Sequence, residues 1–401
     1  MRLSKLYFVF LILLSMKSYK AFAYDIEVEN SDGVTIYYNY INDGKELEVT
    51  YKYEIDFHDT GKHYFYKGNI VIPEEVTFMN RTRKVTSIDN YAFRQCAELS
   101  SVTIPNSVTS IGEYAFTYCI GLTSITIPSN VKFIKEGAFN ECNGLESVYI
   151  FDLETWLSYD WDYANPLRYA SHLYVNGEEI KDLVIPNSIK TIGDCAFYCW
   201  KGVKSVAIPN SVTSIGRCAF QHCYELASIT ISSSVTSIGN SAFEGCKELS
   251  SIIIPNGVES IGFCAFSGCT GLSSVTIPNS VTSIGKGAFV NTDITNIISY
   301  IENPFPIEGV GSSNKSFSNN TFYNATLIVP KGTLDKYKAI EGWKDFVYIE
   351  ELSNATEIQS IDFENEIYDR YSLNGNRLLS PSKGINIIKL KDGTIKKVLI
   401  K

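Results

Sequence analysis

The sequence predicts a repeat solenoid, mainly β or of α/β type: a rod of stacked 23-residue units, each supplying one short parallel strand. Three observations predict it. Residues 101–116, SVTIPNSVTSIGEYAF, return almost unchanged at residues 274–289 as SVTIPNSVTSIGKGAF. An Ala-Phe pair recurs with its Phe at 93, 116, 139, 197, 220, 243, 266 and 289, so that every step but one is 23 residues. An Ile, usually followed by Pro, runs in phase with it at 72, 104, 127, 150, 185, 208, 231, 254 and 277. One such unit cannot bury its own apolar side, whereas stacked copies make a continuous core.

The chain opens on MRLSKLYFVFLILLSMKSYKAFA. Arg2 and Lys5 precede an apolar run from Leu6 to Met16, and Ala21-Phe22-Ala23 supplies an A-x-A cleavage pattern. Residues 1–23 therefore read as a secretory signal peptide, with the mature chain starting at Tyr24 and holding no transmembrane segment. Residues 24–67 read as a β lead-in that covers the first unit.

Residues 68–352 carry the repeats. In the unit that holds Phe116, the inward set is Leu99, Val102, Ile104, Val108, Ile111, Ala115, Phe116 and Cys119. Val102 and Ile104 alternate as a strand should, and Pro105 ends it because proline donates no ladder hydrogen bond. Val108 and Ile111 belong to a return leg, Gly112 is expected to permit the bend that follows, and Ser107 and Ser110 are expected to serve turns. The first unit carries an insertion of nine between Ile72 and Phe93. The step from Ile150 to Ile185 is 35, or 23 plus twelve, and the unit at about 151–180 has lost its Ala-Phe pair. After Ile277 the next match is Val329-Pro330, so the last unit is read as one expanded copy closing at about 325–350.

The full pattern, L-x-x-V-x-I-P-x-S-V-x-x-I-G-x-x-A-F-x-x-C, resembles the BspA-type leucine-rich repeats. The resemblance implies a leucine-rich repeat rod on a secreted or outer-surface protein of the kind found in Bacteroidales. Such proteins attach to host matrix proteins, other bacteria or host cells. LIVPKGTLDKYKAIEGWKDFVYIEE resembles their closing unit, with Tyr337, Trp343 and Phe346 as its core. Residues 353–366 read as a linker. Beyond it, IYDRYSLNGNRLLSPSKGINIIKLKDGTIKKVLIK gives short strands with turns at Asn374-Gly375 and Asp392-Gly393. This end resembles C-terminal segments of exported Bacteroidales proteins, some of which act as sorting signals. The other reading is a small β appendage.

Few residues of the chain carry a pattern that points to chemistry. G-x-S-x-G, H-E-x-x-H and P-loop patterns are missing, and no cofactor or metal is expected. His58, Asp59 and His63 lie close together without a metal spacing, and His222 falls at a variable position read as surface. Of the ten cysteines, Cys96, Cys119, Cys142, Cys223, Cys246 and Cys269 follow the Phe by three. Cys199 is one place early, and Cys195, Cys218 and Cys264 precede the Phe by two. Both ladders are expected to be reduced and buried, since parallel Cβ vectors suit a bridge poorly.

The insertion holds the one aromatic cluster beside acids: Trp156, Tyr159, Trp161 and Tyr163 with Glu154, Asp160 and Asp162. It reads either as a glycan- or peptide-binding platform or as filling for the space the missing Ala-Phe pair leaves. Outward strand positions, Thr103, Thr126, Ala207, Thr230, Ile253 and Thr276, form a flat, weakly polar face. The net charge of −9 supplies no basic field for a nucleic acid. The sequence thus points to a monomeric exported protein that binds a host or bacterial protein or glycan. The alternatives are an envelope spacer without a single ligand and, third, a carbohydrate-active enzyme on the insertion.

Overall fold

The computed structural model describes residues 23–52, 66–161 and 165–352, together with the backbone of strands 367–372, 384–390 and 395–400. Contacts divide the chain into two compact units, Met1–Gly144 and Leu145–Lys401. Each is a β-solenoid whose coils repeat every 23 residues.

In the first unit, strands Ile26–Glu29, Thr35–Ile41 and Glu46–Thr50 form an antiparallel meander. Its last strand pairs in parallel with Arg81–Ile88, and the ladder then runs through the return legs Ser110–Ile111 and Phe133–Ile134. The nine-residue insertion is a hairpin, Glu75–Phe78 against Arg81–Ile88, turning at Met79 and Asn80 with φ of 50° and 59°. A second sheet stacks Gly68–Val71, Leu99–Thr103 and Ser124–Thr126 in parallel, with Ile70 beside Val102 and Val102 beside Ile125.

In the second unit, Ser147–Ile150 pairs with His172–Val175, which turns back into Glu178–Ile180. The regular coils follow. Their strands are Asp182–Val184, Ser205–Ala207 and Ser228–Thr230, then Ser251–Ile253, Ser274–Ile277, Asn296–Ser299, Thr326–Val329 and Tyr348–Glu351. Their return legs run from Thr191–Ile192 to Ser283–Ile284. Strands Ile367–Ser372, Gly384–Leu390 and Ile395–Ile400 make a three-stranded antiparallel sheet. Residues 353–366 and both proposed turn pairs of the tail lie outside the described residues, as do the leader, His58, Asp59 and His63.

The inward set is as the alternation predicts: Val102, Ile104, Val108, Ile111, Ala115, Phe116 and Cys119 are all buried. Three expectations are corrected. Gly112 has no positive φ; its value is closeness, because an added Cβ would lie 2.5 Å from the Asn90 backbone nitrogen of the preceding coil. The bends are made instead by residues flanking the Phe, such as Tyr114 and Tyr118, at φ of 51° and 59°. Ser110 is not in a turn but in the return-leg strand, where its hydroxyl meets that of Ser87 at 2.9 Å. Third, the stretch from Ile277 to Val329 is two coils. Strand Asn296–Ser299 sits between, with Ser299 at the Ile position, and Ser316-Phe317 replaces Ala-Phe. The Phe317 ring stacks 5.0 Å from that of Phe289. Ser299 survives burial because Tyr337 bonds its hydroxyl at 2.6 Å.

Candidate binding surface

Parallel pairing, in one sheet up to Thr230 and in a second from Ser251 onward, sets the outward residues of the second unit into rows. Ala207, Thr230, Ile253, Thr276, Ile298 and Ile328 hold equivalent places, with Ala207 beside Thr230, Ile253 beside Thr276, Thr276 beside Ile298 and Ile298 beside Ile328. The accompanying row is Ser205, Ser228, Ser251, Ser274, Asn296 and Thr326. No residue of either row is charged. Asp182 and Glu350 stand at the two borders. Ile253 is 63% exposed and Val184 53%. A face without charged side chains avoids the largest desolvation cost, and depletion of charge is one mark of an interface core. The Thr230 hydroxyl oxygen is shielded and lacks a hydrogen-bond partner.

The threonines of the return legs are committed elsewhere. Thr213, Thr236 and Thr282 each donate both the amide, at 2.8–2.9 Å, and the hydroxyl, at 3.1–3.2 Å, to a carbonyl of the coil before. That side serves the stack.

The aromatic residues of the insertion point inward. Trp156, Tyr159 and Trp161 are buried, with Trp156 and Trp161 ring centroids 4.4 Å apart; Tyr163 lies outside the described residues. The three described rings therefore present no aromatic platform to solvent. The reason is visible in the hydrogen bonds. In regular coils the Phe amide donates to the next coil's Ala carbonyl, as Phe197 does to Ala219 at 2.8 Å. The inserted unit has no Ala-Phe pair, so the Trp156 indole donates to Ala196 at 2.9 Å and Asn165 Nδ2 donates to the same carbonyl at 2.9 Å. Trp161 Nε1 in turn donates to the Trp156 carbonyl at 2.9 Å. Of the acids, Glu154 accepts from Ser188 at 3.2 Å and Asp160 is exposed. Asp162 lies outside the described residues. Aromatic rings that do reach solvent here are Phe151, 46% exposed, and the half-buried Tyr149 stacked on Tyr174 at 4.5 Å, flanked by His172, whose Nδ1 meets Glu179 at 2.7 Å. The sequence carried its signal in Tyr149, which takes the place of the strand threonine.

The cysteines three after the Phe are more than apolar filler. Cys119, Cys142, Cys223, Cys246 and Cys269 donate to the Phe carbonyl of the preceding coil at 2.9–3.2 Å. Burial pushes the Cys142 thiol up to about 12 and Cys119 and Cys223 well above their ordinary range, so these sulfurs stay protonated and unreactive. All ten cysteines are thiols. His222, read as surface, is half-buried between Tyr198 and Tyr224, with Nδ1 shielded and without a partner. Gly245 makes the room, because a Cβ there would lie 2.4 Å from that nitrogen. Among the described residues no three His, Cys, Asp or Glu side chains converge to hold a metal, and no helix is long and apolar enough to cross a membrane.

The family model of the BspA type leucine rich repeat region matches residues 60–159, 170–296 and 241–372, with six copies. No curated protein sequence matches the chain. Among solved structures, a leucine-rich repeat protein from Bacteroides ovatus is similar, with 22% identity, a TM-score of 0.50, and coverage of 82% of this chain and 77% of that one. A leucine rich cell surface protein from Faecalibacterium prausnitzii has 22% identity, a TM-score of 0.42, and coverage of 83% and 96%. The pneumococcal vaccine antigen PcpA has 16% identity, a TM-score of 0.43, and coverage of 82% and 99%.

Proposed function

The chain belongs to the BspA-type leucine-rich repeat family, and from that premise we propose that it is an exported surface or secreted protein that binds extracellular proteins or glycans without catalysing a reaction. The uncharged strand face of the second unit carries this reading. On a chain of net charge −9, two rows free of charge over the strands from Ser205 to Val329 mark a surface suited to contact. Solenoid faces present such rows rigidly, so little ordering cost is left for binding. Export rests on the leader and its Ala21-Phe22-Ala23 pattern. The protein acts as a monomer in this reading, and the C-terminal segment either sorts it to the surface or is a passive appendage.

The test is binding of the chain from Tyr24 onward to immobilised extracellular-matrix proteins and a glycan array. Ile253→Arg places a charge in the centre of the face and should weaken whatever binding is measured at least tenfold. Glu259→Arg, on an exposed return-leg position, should leave it unchanged. Equal binding by both variants would move the contact off the strand face. Absence of binding across the whole panel would favour the envelope spacer.

A further inference from the structure

Cysteine stands two places before the Phe in three coils, and only Cys195 and Cys218 do so in consecutive ones. Both have left-handed backbone, at φ of 52° and 55°. Each amide donates to the following coil, Cys195 to Arg217 at 2.8 Å and Cys218 to Asn240 at 2.9 Å. The two residues thus hold the same place in neighbouring coils, which lie about 4.8 Å apart, inside the roughly 4.4–6.8 Å that a disulfide spans between Cα atoms. Their side chains are neighbours, and Cys195 acts on the Cys218 thiol as a hydrogen-bonding group. Cys218 is half-buried and within reach of solvent. Cys264 has Ser241 and Gly287 at the matching places, and the sulfurs of the inner ladder are sealed in the core on carbonyl oxygens.

We propose that Cys195 and Cys218 are a redox couple that closes into a disulfide between adjacent coils by exchange with an external disulfide. The Cys218 thiolate attacks one sulfur of the external disulfide, forming a mixed disulfide and releasing one thiolate. Cys195 then gives up its proton and attacks the Cys218 sulfur, releasing the second external thiol. Two protein thiols are oxidised to one disulfide and one external disulfide is reduced to two thiols, which carry off the two protons. A side-chain rotation at each residue turns the two sulfurs toward one another against the parallel Cβ vectors that disfavour bridges in such ladders. The Cys195 hydrogen bond holds the Cys218 thiol below its ordinary range against the effect of burial, with Arg217 adding to it. That marks Cys218 as the first attacker. Cys199 lies near the pair, but burial pushes its thiol up.

The experiment treats the purified full chain with oxidised glutathione, alkylates the remaining thiols and maps linkages by mass spectrometry without reduction. The expected result is a Cys195–Cys218 linkage, the loss of two alkylatable thiols and a raised urea midpoint that dithiothreitol reverses. Cys199→Ser should form the same bond, and Cys195→Ser should stop at a glutathione adduct on Cys218. A Cys199–Cys218 linkage in the wild type, or full alkylation of both residues after treatment, overturns the proposal.

Discussion

A Phe of the column is held in three ways at once. Phe220 stacks between Phe197 and Phe243 at 5.2 and 5.4 Å, donates its amide to the Ala242 carbonyl at 2.8 Å, and accepts the Cys246 thiol at 3.2 Å. Trp200 shows how tightly the chemistry is set: it replaces the cysteine after Phe197, and its indole N–H donates to Ser171 at 3.2 Å. Polar groups of the cap are less settled. Burial pushes the half-buried Glu48 carboxyl up to about 7, with Asp89 and Asp25 acting in the same direction and the Asn39 hydrogen bond and Lys135 opposing. The ordinary glutamate value is about 4.3, so between there and about 7 the folded state keeps a proton that the unfolded chain has lost. The contribution of Glu48 to stability is full below the lower value and lost as pH rises through the upper. Glu48→Gln should therefore raise the unfolding midpoint at pH 8 and leave it near that of the wild type at pH 4.5. A mutant-minus-wild-type difference that is flat across this range would mean that Glu48 ionises normally in the fold.

At the scale of the element, the inserted unit shows what a repeat must supply and how another sequence can supply it. The Ala196 carbonyl lacks its Phe donor and receives two side-chain donors, Trp156 Nε1 and Asn165 Nδ2. Either alone keeps the oxygen satisfied. Trp156→Phe should cost about 1–2 kcal/mol, from one hydrogen bond and a small loss of packing. Asn165→Ala should cost more, since its Oδ1 also caps Leu167 and its amide bonds the Cys195 carbonyl. Together they orphan a buried carbonyl, so the double variant should exceed the sum of the singles by about 0.5–3 kcal/mol. Urea denaturation of the four proteins measures this, and additivity within about 0.3 kcal/mol would refute the substitution of side chain for backbone. This unit also marks the limit of what the sequence could say. Val102, Ile111, Phe116 and Cys119 were legible because a fixed period puts each on one column, and burial follows from the column. Hydrogen-bond roles were not legible: nothing in the spacing says that a thiol donates to the Phe carbonyl, that Gly112 is small to let coils close up, or that Gly245 makes room for His222. Where the period broke, orientation was lost too. Trp156 and Trp161 could face either way until their donors were placed, and Ser316-Phe317 escaped because serine replaced the alanine that marks the pair. The strand face was read correctly up to Thr276 and missed at Ile298 and Ile328, whose spacing departs from 23.

At the scale of the whole molecule, stability in such a stack is a sum of coil terms and nearest-neighbour terms, because each coil touches only the coils beside it. The second unit offers a direct test, with Phe rings stacked in unbroken succession from Phe197 to Phe317 at 5.0–5.4 Å. Phe243 is interior to this run. Phe243→Ala removes two stacking contacts and leaves a cavity, a loss of about 3–5 kcal/mol. In a globular core that loss would be shared by every residue that unfolds with the core. In a nearest-neighbour stack it weakens the junctions on either side, and the flanks keep their own contacts. Native-state hydrogen exchange should then show accelerated exchange at Ser237–Ile238 and Ser260–Ile261, with the amides of Thr326–Val329 in the closing coils little changed. Trp343, buried in the closing coil and donating to Phe305 at 2.8 Å, should report a later denaturation step than Trp200 near the break. Uniform loss of protection from Ser205 to Val329, with one coincident transition, would mean that the coils fold as a single cooperative block. The strand face would then owe its rigidity to the unit as a whole and not to its local neighbours.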